Sequence, residues 1–119
     1  MGSRWVAVDS VEHEVVRVDT ATINKTQQGT YLAWIEVRFS QVKRVDKTEY
    51  TRNMMRQEFD CGSRKMRIIE MHLYFAEKPS PVDDYSPRPG QQAATEWESA
   101  VPGTRGESIV DGVCAGRSG

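Results

Sequence analysis

The sequence predicts an α+β domain: a single antiparallel β-sheet of about five to six strands, connected as a meander and packed against one C-terminal α-helix. Three observations predict it. Apolar and polar residues alternate with a period of two through several separate segments. Short, turn-like links join successive segments, which favours antiparallel neighbours. Near the C-terminus the period changes, and Ile109, Val110, Val113 and Cys114 fall on one helical stripe.

Residues 4–8, "RWVAV", form the first expected strand, and residues 13–19, "HEVVRVD", the second, with "DSVE" as the hairpin between them. Thr20 to Asn24 suit one helical turn or a tight loop before Gly29. The strongest strand is 30–40. Its core face carries Tyr31, Ala33, Ile35, Val37 and Phe39. Leu32, Trp34, Glu36, Arg38 and Ser40 take the other face, which starts apolar and ends wet. Residues 41–48 are polar and read as a connection. The strand at 49–61 points Met55, Gln57, Phe59 and Cys61 inward and Arg52, Arg56, Glu58 and Asp60 outward. After the turn "CGSRK", the strand at 66–76 places Ile69, Met71, Leu73 and Phe75 on the core side. Ile68, Glu70, His72 and Tyr74 fall opposite.

Residues 77–95 hold all but one of the five prolines and few aliphatic residues, so they read as a long surface loop. "EWESAV" suits a short edge strand, or lays Trp97 over the core. The closing helix has Thr104 at the N-cap and Glu107 three residues on, the spacing of a reciprocal capping box. Gly106 and Gly112 weaken it by propensity, so it depends on docking.

With 119 residues the chain is one domain, read as 4–116 with a short tail at 117–119. Gly2 and Ser3 behind the first methionine read as a cloning scar over residues 1–3. Sixteen basic and 17 acidic residues leave a net charge of −1, which speaks against a nucleic-acid binder. Charges interrupt every apolar run well short of a transmembrane span.

Two cysteines permit one disulfide. Cys61 shares a strand face with Met55 and Phe59, and Cys114 lies on the helix stripe. Spacing alone leaves two readings open: a bridge between sheet and helix, or two small buried apolar residues.

Taken in order, several stretches resemble the bacterial surface-adhesin protein E family. They are Trp5–Val6, "VDTATI" from Val18, "VRF" from Val37, "EFDCGSRKMRII" from Glu58, "HLYF" from His72, "EWESAVPGTRGESI" from Glu96, and Cys114. The resemblance implies an antiparallel sheet whose C-terminal helix is tethered by a Cys61–Cys114 disulfide. It also implies export, to the periplasm or outer surface of a bacterium, after removal of a signal peptide or with a lipid anchor at the native N-terminus. The implied function is adhesion to an extracellular or envelope protein. The loop from Ala76 to Thr95 departs from the pattern, being richer in proline and acid than the usual connection.

No catalytic set emerges. Ser108 has no supporting motif with either histidine, and Asp83 and Asp84 lie in the proline-rich stretch, where they solvate the chain. The chain reads as a non-enzyme with no cofactor. Arg52, Arg56 and Arg67 can line one exposed face for an anionic partner, with Trp34 as an apolar contact or dimerisation patch. An alternative reading is a periplasmic small-molecule or haem-binding module using His72 and Tyr74. A further one is a structural subunit of an envelope assembly, with a homodimer compatible with either.

Overall fold

The computed structural model describes residues 4–85 and 96–116. The expected scar, the second half of the proline-rich loop and the tail lie outside the described residues. Within them, eight strands form one sheet: β1 (Trp5–Val11), β2 (Glu14–Asp19), β3 (Asn24–Lys25), β4 (Tyr31–Val45), β5 (Thr48–Asp60), β6 (Lys65–Tyr74), β7 (Asp83–Tyr85) and β8 (Glu98–Ser99). The sheet order is β1-β2-β4-β5-β6-β7, with β3 pairing beside β4 and β8 beside β6. Every pairing is antiparallel, as short links require. The meander is as expected, and the strand count is higher because β3, β7 and β8 are pieces of two or three residues. A single 3-10 turn at Thr20–Thr22, capped by the Asp19 carboxylate, links β2 to β3.

One face of the sheet is covered by α1 (Arg105–Gly116). Val16, Val18, Ala33, Ile35, Val37, Met55 and Phe59 pack there against Ile109, Val110 and Val113. Each of these side chains except Ala33 contributes roughly 1.5–3 kcal/mol on burial. The Cys61–Cys114 disulfide staples the last turn of α1 to the end of β5, across 53 residues of sequence. Gly112 has a packing reason. A Cβ there would lie 2.4 Å from Val8 Cγ1, a stiff β-branched side chain on β1. Glycine lowers helix propensity by about 1 kcal/mol, and the close approach of α1 to the sheet offsets it.

Four local features differ from the sequence reading, each for a physical reason. The polar stretch at 41–48 is not a connection: β4 and β5 continue as a paired ribbon to a two-residue turn at Asp46–Lys47, with Asp46 at φ 53°. The first hairpin turns at Glu12–His13 rather than over "DSVE", because β1 runs on to Val11. A bulge between Arg56 and Gln57 pairs Glu70 and Ile68 with successive residues and skips Ile69. Ile68, not Ile69, therefore packs on the core with Met66 and Met71. The reciprocal capping box does not form. Glu107 accepts from the Gly103 N–H, and the Thr104 hydroxyl donates to the Val101 carbonyl.

Candidate functional site on the open sheet face

The alternation that buries one set of side chains under α1 sends the other set to the opposite face, which no helix covers among the described residues. Register builds rows across it. Ala7, Arg17, Glu36, Met54, His72 and Asp84 form one row across six strands. Val15, Arg38, Arg52 and Tyr74 form the next on one side, and Trp34, Arg56 and Glu70 the next on the other. Beyond these lie Leu32, Glu58 and Arg67.

All six residues singled out in the sequence, Trp34, Arg52, Arg56, Arg67, His72 and Tyr74, share this face. The arginines are not a bare basic patch, however. Glu36 is 2 % exposed and collects Arg52 together with two further arginines of this face, Arg17 and Arg38. Its Oε1 accepts from Arg17 Nε at 2.8 Å and Arg38 Nε at 3.0 Å, and its Oε2 lies 3.7 Å from Arg52 Nη1. Glu58 accepts from Arg67 Nε at 2.8 Å and from the Thr30 hydroxyl at 2.6 Å. Arg56 is more loosely held, 3.8 Å from Glu70 and 41 % exposed. The guanidiniums also stack on rings. Arg52 lies 4.4 Å from the Tyr74 centroid and Arg67 4.4 Å from that of Trp97. Trp97 thus extends the open face instead of covering the core.

Glu36 and Glu58 are functional-face residues that sequence reasoning assigned to solvent. An acid alternating with arginines along one strand parity was the available signal. Only the register shows that each is enclosed by cations.

At the middle of the face Trp5, Trp34, Met54, His72 and Tyr74 line a depression of about 320 Å³. The Trp34 and His72 rings stand 6.0 Å apart. His72 bridges two carboxylates: Nε2 meets Glu70 at 2.8 Å, and Nδ1 meets Asp84 on β7. Burial pulls its pKa down, but the pairings with Asp84 and Glu70 outweigh it and raise the pKa above the ordinary 6.5. The three groups do not converge on one point, since the carboxylates hold opposite edges of the ring. Among the described residues no set of three His, Cys, Asp or Glu side chains is placed to hold a metal ion.

A raised histidine pKa carries a definite sign. The clamp's contribution is complete below the unfolded value near 6.5 and is lost as pH rises through the raised folded value. Stability measured by urea unfolding is expected to fall as pH rises from the unfolded value near 6.5 through the raised folded value, and His72→Gln is expected to flatten that slope. A slope unchanged by His72→Gln would assign the dependence to other groups.

The surface-adhesin protein E family model matches residues 5–115. No curated protein sequence matches the chain. Among solved structures, crystal form II of Haemophilus influenzae protein E superposes with a TM-score of 0.71 at 12 % identity, covering 100 % of this chain and 93 % of that one. At that identity the likeness is one of fold.

Proposed function

The chain belongs to the surface-adhesin protein E family, and from that premise we propose that it is a non-enzymatic adhesion domain whose open sheet face binds an extracellular protein. Family membership supports export and a place at the cell surface. We assign it to the outer surface rather than the periplasm, because its partners would be met there. The observation that carries the reading is the character of the face. It is uncovered among the described residues, yet it holds half-buried aromatic side chains and arginines already stacked and paired. Ordered aromatic and arginine side chains bind with little further loss of rotamer freedom. Trp34, Arg52, Arg56 and Arg67 are the proposed contacts, together with the loop from Glu77 to Thr95. The haem alternative is less favoured, because both nitrogens of His72 are engaged by carboxylates.

The test is binding of the purified chain to an immobilised extracellular-matrix extract. Trp34→Ala combined with Arg56→Glu is expected to weaken binding by about tenfold or more, the scale of losing a central anchor. Unchanged binding by a variant with the parent's circular dichroism spectrum would move the contact surface elsewhere.

A further inference from the structure

At one end of the open face, where the β1–β2 turn meets β4, lies a second cavity of about 350 Å³. Its apolar wall includes Val11, Val15 and Phe39, and its charged side chains are Arg38, Arg52, Glu14 and Glu77, with His13 at the turn. Most of these charges are already committed. Glu77 accepts from Arg38, Glu14 is held by Arg105 of α1, and His13 Nδ1 meets the Ser40 hydroxyl at 3.0 Å.

Arg52 differs. Its side chain is only 17 % exposed, yet its contacts to acceptors are long: 3.7 Å from Nη1 to Glu36 and 3.5 Å from Nη2 to the Lys78 carbonyl. Its buried Nε has no hydrogen-bond partner among the described residues. A largely buried guanidinium normally makes short, forked bonds, as Arg17 and Arg67 do on the same face. Arg38 stands directly opposite Arg52 in the register, so two like charges adjoin with Glu36 beneath them. Two of the cavity's lining residues, His13 at φ 71° and Ala76 at φ 53°, hold left-handed backbone that non-glycine residues rarely adopt. Such strain clusters at ligand sites.

We propose that this cavity binds a single carboxylate carried beside an apolar side chain on a peptide, with Arg52 as its principal partner and Val11 and Phe39 against the apolar group. The proposal deepens the adhesion reading, on which it rests, by naming the chemistry of the ligand. A polysulphated sugar fits less well, because it has nothing to set against the valines and phenylalanine, and Glu14 and Glu77 repel additional negative charge. The carboxylate can come from an acidic side chain or from a chain terminus.

The test is titration of the isotope-labelled chain, followed by backbone amide shifts. Four probes are used: acetyl-Leu-Glu-Leu-amide, acetyl-Gly-Leu-Leu with a free terminal carboxylate, the neutral acetyl-Leu-Gln-Leu-amide, and a heparin disaccharide. Shifts are expected at Phe39, Ser40, Thr51 and Ala76 with one or both acidic peptides, and which of them acts identifies the source. The neutral peptide is expected to bind about tenfold more weakly or worse, as is the acidic one to Arg52→Gln. Val11→Glu changes a residue 55 % exposed, so folding is spared while a carboxylate is set at the rim; it is expected to abolish acidic-peptide binding. Equal affinity for the neutral probe, shifts mapping elsewhere, or tighter binding of a heparin disaccharide would overturn the proposal. Matrix binding that persists without peptide binding would overturn this inference and leave the adhesion reading standing. Peptide binding without matrix binding would do the reverse.

Discussion

Replacing both cysteines, Cys61→Ala with Cys114→Ala, is expected to lower stability by about 4 kcal/mol, the chain-entropy value for a closed loop of this length. The bridge joins residues 53 apart and is the covalent link between the sheet and α1. A domain this size has only about 5–15 kcal/mol in total. α1 is the element most exposed to the loss. It carries two internal glycines, and its interior reciprocal cap is not formed. Without the bridge α1 is held by the packing of Ile109, Val110 and Val113 and by the exposed ion pairs of Arg105 with Glu14 and of Asp111 with Arg64. The melting temperature is expected to drop by about 20 °C, with the helical circular dichroism signal fading first. The measurement is urea and thermal unfolding of parent and double variant under oxidising conditions. A midpoint within error of the parent's would show that apolar docking alone retains the helix.

Glu36→Gln is expected to cost about 3 kcal/mol. The substitution keeps the shape and removes the charge that Arg17, Arg38 and Arg52 share. Breaking a buried ion pair by removing one partner costs roughly 3–5 kcal/mol. The low end applies here, because Arg17 and Arg38 are 29 % and 42 % exposed and water screens part of their repulsion. The effect should be context-dependent in a specific way. In an Arg52→Met background Glu36→Gln should cost distinctly less, since one of the crowded cations is gone. High salt should also soften it. If the single variant loses under about 1 kcal/mol, well below the buried-pair scale, the three arginines are solvated independently and the row is not a coupled network.

These two sites differ in how far they could be read in advance. Cys61 and Cys114 each sat on a recognisable apolar pattern, one of period two and one helical, and the resemblance to a family paired them. The only local mark of Glu36 is Arg38 two residues on, at the same strand parity. Its neighbours Arg17, Arg38 and Arg52 are spread over three strands, and a carboxylate on the outward parity of a strand ordinarily meets water. The β4–β5 ribbon was missed for a related reason. Both faces of its far end are wet, so no apolar alternation records it, and backbone pairing alone makes it a strand. The Arg56–Gln57 bulge leaves no trace in composition, yet it decides which of Ile68 and Ile69 is inside. Trp34, Arg52 and Arg56 follow the parity of their strands onto the open face, whereas Arg67 has the parity of Met71 and Leu73 and reaches that face only because the bulge skips Ile69. Their partners could not be placed.

Side-chain alternation and helical spacing are local properties of the chain. They were enough to specify an antiparallel sheet with one helix on it and the inward residues of β4 and β5, while the pairing of the two cysteines came from the family resemblance. Everything that depends on which residue stands opposite which was settled by folding: the burial of Glu36 among three guanidiniums, the stacking of Arg52 on Tyr74 and Arg67 on Trp97, and the carboxylate clamp on His72. The reason is that cross-strand register is a non-local quantity, set jointly by turns, bulges and the fit of α1 against Val8 and Val18, and no short window of sequence contains it.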